Sequence, residues 1–262
     1  MDDLILVEHD AANPAIAIVT LNRPDKLNAM TKPMWLRLGE VMRALSADDA
    51  LRCVLLRGAG GRAFSPGNDI GEFATERGNF AQGKAYGAVL HGALGAIADC
   101  RHPVVAQIDG LCVGGGLEIA ALADLRICGA SSRFGAPINK LGLVMAHAEL
   151  AALVQLAGRA VAAELLLEGR LFSADEALAR NLVHRVMPDD RVAAEAQATA
   201  ARIAAGAPLS ARWHKRFLRE LASGAPLTEA QRDEAYRCYD SEDFRSGVAA
   251  FLAKTPPVFA GR

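Results

Sequence analysis

The sequence predicts an α/β fold. Short apolar strands alternate with helices through the first half of the chain, glycines mark the strand-to-helix junctions, and from about Ala146 the pattern is almost wholly helical. Leu4 to Glu8 and Ala15 to Leu21 read as two short strands, parted by the Asn13-Pro14 turn. Thr31 ahead of Pro33 opens a helix that runs to about Leu45. Cys53 to Arg57 is a continuous apolar strand ending in Gly58-Ala59-Gly60-Gly61, and a loop bearing glycine and proline follows from Ala63 to Ile70. Phe80 to Asp99 reads as a long helix. The pattern then repeats: strand Val104 to Ile108, turn Asp109-Gly110, the triple glycine Gly114-Gly115-Gly116, helix Leu117 to Ala123, strand Leu125 to Cys128. Pro188, Pro208 and Pro226 punctuate the helical second half, where Val183 to Val186 is the one short strand candidate. A core over residues 1–205 and a helical appendage over 206–262 are expected.

Composition narrows the class. The 262 residues carry 29 Lys and Arg against 30 Asp and Glu, a net charge of −1 with no basic block, so no nucleic-acid groove is expected. A 52% hydrophobic and 23% charged composition is that of a globular chain. The five cysteines (Cys53, Cys100, Cys112, Cys128 and Cys238) are scattered and include no C-x-x-C pair, so reduced thiols are expected rather than disulfides or zinc. His9, His91, His102, His184 and His214 form no metal-ligand spacing. Met1-Asp2-Asp3-Leu4 is acidic where a signal peptide is basic, and the uncharged run nearest to a membrane span, Ala85 to Ala98, is too short and contains His91. A soluble cytoplasmic protein without membrane or nucleic-acid partners is expected.

Two glycine-bearing loops can carry chemistry. Gly58-x-Gly60-x-x-Ala63 follows a strand as a dinucleotide fingerprint does, but that motif must open directly into a helix, and here Phe64-Ser65-Pro66-Gly67 intervenes. The same loop lacks the first glycine of a nucleophile elbow. The triple glycine is different. At a helix start it leaves main-chain N–H groups unpaired at the positive end of the helix, where an anion or a developing oxyanion can be held. Close packing of that helix start against a strand would require the same glycines. Glu118 tips the balance toward chemistry. It lies about one turn past Gly115, among Leu117, Ile119, Ala120 and Ala121, where a carboxyl is desolvated, of raised pKa, and suited to proton transfer near neutrality.

These residues resemble the enoyl-CoA hydratase/isomerase (crotonase) superfamily. The resemblance rests on Asn22-Arg23-Pro24 through Asn28-Ala29, the Ala63 to Ile70 loop, Asp109-Gly110 leading into Gly114-Gly115-Gly116-Leu117-Glu118, Phe134-Gly135-Ala136-Pro137, and Phe251-Leu252-Ala253-Lys254. It covers essentially the whole chain. It implies a spiral of repeated β-β-α units with a helical C-terminal segment used in assembly, as a homotrimer or dimer of trimers. It also implies an acyl thioester substrate, with no cofactor beyond the coenzyme A that the substrate carries. The two oxyanion-hole N–H groups fall on Asn68 and Gly115, with Glu118 as acid and base. Coenzyme A contacts carry over to Lys26, Ala29, Ala63, Ser65, Asn68, Asp69, Ile70 and Gly115, and Lys254 reaches a phosphate from a neighbouring subunit. Lys26 and Lys254 also read as solvated surface lysines, and Asp69 reads more simply as a turn-stabilising residue.

One departure limits the inference. The hydratases of this superfamily use a second glutamate after the proline of F-G-x-P, and Ile138 stands there. His147 and Glu149, a few residues on, can compensate if they lean into the pocket; the plainer expectation for both is exposure in the first turn of a helix. Three functions therefore remain: an enoyl-CoA hydratase-like enzyme, another reaction on an acyl-CoA (isomerisation or decarboxylation), or a binding protein that has lost the chemistry. The segment from Gly71 to Gly83, which should border the acyl group, is rich in glycine and charge and gives no shape.

Overall fold

The computed structural model describes residues 4–262. Ten strands form two sheets. The larger takes β1 (Ile5–His9), β2 (Ile16–Leu21), β3 (Cys53–Gly58), β5 (Val104–Ile108), β7 (Leu125–Gly129) and β10 (Arg185–Met187), in that spatial order. The smaller takes β4 (Ala63–Ser65), β6 (Leu111–Val113), β8 (Arg133–Gly135) and β9 (Phe172–Ser173). Pairing is parallel except for β1 with β2 and β8 with β9. From β3 to β8 the chain goes alternately to the large sheet and to the small one. Each visit to the small sheet is followed by helix: Phe80–Ala98 after β4, Gly115–Leu122 after β6, His147–Ala163 after β8. This is the expected spiral of β-β-α units.

The parallel centre of the large sheet, β2, β3, β5 and β7, is buried on both faces. On one face Trp35, Leu38 and Met42 of helix Lys32–Ala47 and Leu90 and Ile97 of Phe80–Ala98 pack with Val54, Leu56, Val104 and Ala106. On the other, Ala196, Ala200 and Ala204 of helix Val192–Ala204 cover Cys53, Leu55, Val105 and Ile127. Alternate residues of one strand thus serve two layers, which is why these strands read as unbroken apolar runs.

The small sheet is not visible in the sequence. Ala63–Ser65 lies in a stretch expected to be loop, and nothing local announces Leu111–Val113, Arg133–Gly135 or Phe172–Ser173; two or three residues are too few for alternation to register. They are defined by their partners across the sheet, and the corner into Leu111–Val113 needs a glycine. Gly110, at φ +61°, brings the chain so close to Arg62 that a Cβ there would lie 2.0 Å from its carbonyl oxygen.

Beyond residue 205 the chain turns into helix Pro208–Ala222, which is clamped to the core by cations. Lys215 is buried; its Nζ donates to the His102 carbonyl (2.9 Å) and pairs with Asp124 (2.8 Å). Arg219 pairs with Asp99 at 2.7 Å. The last helix, Glu242–Ala253, leaves Phe251 and Leu252 exposed. Among the described residues His147–Glu168 alone has the length and hydropathy of a membrane span, but its backbone is non-helical at Gly158 (φ 82°, ψ 162°), so it is not a continuous rod.

Candidate active site

The two loops singled out in the sequence meet at one point. After β4 the chain turns through Gly67 at φ +92°, and a Cβ on Gly67 would lie 2.5 Å from the Gly115 nitrogen. Each of the three consecutive glycines has its own cause. Gly114 takes φ 53°, ψ −125°; a Cβ on Gly115 would press Trp35 and Gly67 at 3.1 and 3.3 Å; one on Gly116 would lie 2.2 Å from the Ser65 carbonyl oxygen. Both functions of the motif, close packing and exposed amides, are therefore realised together. Among the described residues neither the Asn68 nor the Gly115 N–H has an acceptor within the protein. Two such donors, side by side at a helix start, suit a developing oxyanion.

The Asn68 loop is held from three sides. Met30 donates to the Gly67 carbonyl (2.8 Å), and Asp69 donates back to Met30 (2.9 Å). Trp35 Nε1 donates to Asn68 Oδ1 (2.8 Å). Ser65 Oγ accepts from the Gly67 N–H (3.0 Å) and donates to the Asn28 carbonyl (2.8 Å). Beneath it the buried Asn28 donates to Ala59 and Ala63 and accepts from the Arg23 N–H. These bonds fix the amides without the Asn68 side chain facing the reacting atoms.

Glu118 lies in the first turn of Gly115–Leu122 and is 8% exposed. Its Oε2 is buried without a hydrogen-bond partner among the described residues. Burial, reinforced by the negative charge of Glu149 and opposed by Arg77, pushes its carboxyl up to about 8. At neutral pH it therefore holds its proton. Glu118, Glu149 and Arg77 line one cavity of about 160 Å³, walled otherwise by apolar groups such as Phe73, Leu90, Ile138 and Met145.

The residues that the sequence nominates are distributed unevenly about this cavity. Asn68, Ile70, Gly115, Glu118 and Glu149 line it, as does Ile138. Lys26, Ala29, Ala63, Ser65, Asp69, His147 and Lys254 do not. The side chains of Ala63 and Ser65 are buried, so they support the loop and present no surface to a ligand. Asp69 is engaged by Arg23 at 2.5 Å and caps the Gly71 N–H at 2.8 Å; the Arg23 bond holds its carboxyl below the usual range. Lys26 and Lys254 are exposed, the latter at φ 55° just past the end of its helix. The expectation of first-turn exposure fails for Glu149. His147 is exposed there, but Glu149 turns inward because Oε2 accepts from the Ala146 N–H (2.8 Å) while Oε1 lies 2.8 Å from His91 Nε2. Sequence reasoning misses Arg77, Trp35 and His91. Arg77 sits in the unreadable 71–83 segment, where only its flanking Phe73 hints at a pocket wall.

The sequence model of the enoyl-CoA hydratase/isomerase family matches residues 11–262. The chain belongs to that family. In this enoyl-CoA hydratase/isomerase the fold is also that of solved members. A crystal structure of an enoyl-CoA hydratase/carnithine racemase from Magnetospirillum magneticum superposes with TM-score 0.97 at 51% identity, over 100% of this chain and 97% of that one. A short-chain-enoyl-CoA hydratase of Clostridium acetobutylicum is 30% identical over 91% of this chain and 92% of its own length. A 1,2-epoxyphenylacetyl-CoA isomerase of Escherichia coli is also 30% identical, over 94% of this chain and 95% of its own. The family acts on acyl-CoA thioesters, and its named reactions span hydration and isomerisation.

Proposed function

We propose that this enzyme hydrates a short 2-enoyl-CoA, with Glu118 and Glu149 as its two carboxyl groups. The observation that carries this reading is that Glu149 enters the cavity that Glu118 lines, although the usual position of a second glutamate is occupied by Ile138. Asn68 and Gly115 N–H groups stabilise the enolate-like oxygen of the thioester, a role worth roughly 10²–10³ in rate per donor. Glu149 accepts a proton from water as its oxygen bonds to Cβ. Glu118, protonated at neutrality, delivers its proton to Cα, and exchange through solvent returns the proton from Glu149 to Glu118. The cavity supports a short acyl group: about 160 Å³ is close to the roughly 150 Å³ that accommodates benzene, about six heavy atoms.

The engagement of both Glu149 oxygens, by Ala146 and His91, favours a second reading, double-bond isomerisation, in which Glu118 alone takes a proton from one carbon and returns it to another; Ile138 counts against it, since the isomerases that the sequence resembles also rely on the glutamate it replaces. Crotonyl-CoA hydration and 3-enoyl-CoA isomerisation, assayed with Glu118→Gln and Glu149→Gln, separate the two. Hydration predicts that each variant loses about 10²–10⁴ in kcat. Isomerisation that survives Glu149→Gln, with no hydration by the wild type, selects the second reading. Turnover that survives Glu118→Gln rejects both, as does an acyl-CoA that binds and is never turned over, which is the behaviour of a binding protein.

A further inference from the structure

Among the described residues one cation, Arg77, lines the cavity, and it is held by aromatic rings rather than by a hydrogen bond or an ion pair. Arg77 projects from the segment between Phe73–Glu76 and Phe80–Ala98, with its guanidinium carbon 4.7 Å from the centre of the Phe73 ring and 4.9 Å from that of Tyr86. Tyr86 is buried, and its hydroxyl reaches Glu72 at 3.2 Å, so the stack that grips Arg77 is anchored. Among the described residues the guanidinium makes no hydrogen bond and no ion pair. The nearby carboxylates are already engaged elsewhere: Glu76 pairs with Lys32, and Glu72 accepts from the Lys32 N–H. Of the two acids in the cavity, Glu149 is turned to Ala146 and His91, and Glu118, though it feels the charge of Arg77, has an oxygen that takes no hydrogen bond from it or from any other described residue.

Arg77 is half-buried and its donor fork is left open by the protein, in the geometry that a planar carboxylate completes with two parallel charge-assisted hydrogen bonds. Its neighbours explain how it is oriented, since stacking on two rings holds the fork in one plane. They do not explain why it faces an acyl cavity. We propose that Arg77 recognises a carboxylate at the far end of the acyl group, so that the preferred substrates are CoA monothioesters of short dicarboxylic acids. Size agrees: the carbons past the thioester carbonyl of a five-carbon dicarboxylic chain, with the terminal carboxylate, make about six heavy atoms, which is what a cavity of this volume accommodates. This rests on the acyl-CoA reading above and adds to it the acyl class.

Calorimetry with two saturated, unreactive probes tests it. Glutaryl-CoA carries the distal carboxylate; butyryl-CoA does not. The wild type is expected to bind glutaryl-CoA roughly 10- to 100-fold more tightly, the worth of a charge-assisted bidentate contact. Arg77→Met, which keeps the stem and drops the fork, should abolish that preference and leave butyryl-CoA within about twofold. Arg77→Lys should retain part of it. Equal wild-type affinity for the two probes overturns the proposal. So does an Arg77→Met variant weakened equally toward both, which would make Arg77 a general support of the cavity. If neither probe binds the wild type, the acyl-CoA reading itself fails and this inference with it.

Discussion

The isolation of Glu118 has a consequence for stability that can be measured without any substrate. Its carboxyl titrates at 4.5 in an ordinary environment and near 8 in the folded protein. Below pH 4.5 both the folded and unfolded forms hold the proton, and the residue costs nothing. Above 4.5 the unfolded chain ionises and the folded one does not, so stability falls by 1.36 kcal/mol per pH unit until the folded carboxyl also ionises near 8. The penalty is therefore about 3 kcal/mol at pH 7 and about 5 kcal/mol above pH 8. Stability attributable to this group is full in acid and is lost as pH rises. Glutamine has the same shape and no charge, so Glu118→Gln should match the wild type at pH 4.5 and exceed it by about 3 kcal/mol at pH 7 and about 5 kcal/mol at pH 8.5. Urea denaturation at those three values, at one fixed protomer concentration, reads the difference directly. A gap that stays constant from pH 4.5 to 8.5 would refute the claim that Glu118 is held protonated by its surroundings.

Two further outcomes are expected from the geometry. Trp35→Phe removes the N–H that holds Asn68 Oδ1 and should lower kcat about tenfold with KM little changed, alongside a loss of about 1–2 kcal/mol in a urea melt, because the proposed oxyanion donor is displaced and the acyl cavity is not. Val248, Phe251 and Leu252 are exposed on the last helix and Val258 beyond its end; a trimer or dimer of trimers that covers them, as the sequence resemblance implies, predicts light scattering at three or six times the 27.6 kDa protomer mass, and a monomer at dilute concentration would count against assembly and against any role for Lys254 in a neighbour's site.

The parts of this molecule that the sequence discloses are those whose cause is local. Val104–Ile108 is legible because every one of its residues is buried, and Lys32–Ala47 because its apolar positions recur at helical spacing. Glu118 is legible for the opposite reason: a charged residue inside an apolar helix conflicts with its neighbours, and such conflicts mark function. The small sheet is silent, since strands such as Leu111–Val113 are created by their partners across space and not by their own three residues. The same distinction runs through the site. Ser65 looks like a ligand contact in a motif and proves to be a support, because what occupies its hydroxyl, the Asn28 carbonyl and the Gly67 N–H, comes partly from 37 residues away.

For Glu149 and Arg77 the cause is entirely tertiary. A glutamate three residues into a helix ordinarily serves its own N-terminus, and Glu149 does accept from Ala146; its second oxygen is held by His91 of a separate helix, and in that position the side chain forms part of the cavity wall. Arg77 lies in a run of charges that looks solvated, and only the rings of Phe73 and Tyr86 give it a direction. The motif residues and these two divide the work accordingly. In the proposed mechanism Asn68 and Gly115 serve the thioester oxygen and Glu118 the carbon beside it, and all three belong to the motifs on which the resemblance rests. Glu149 and Arg77 line the same cavity from segments without a motif, and Ile138, directly after the Phe134-Gly135-Ala136-Pro137 motif, is where the sequence departs from that resemblance. On the readings proposed above, the reaction depends on Glu149 and Ile138 and the acyl preference on Arg77, so substitutions at these three positions are expected to change what the enzyme accepts while leaving its hold on the thioester intact.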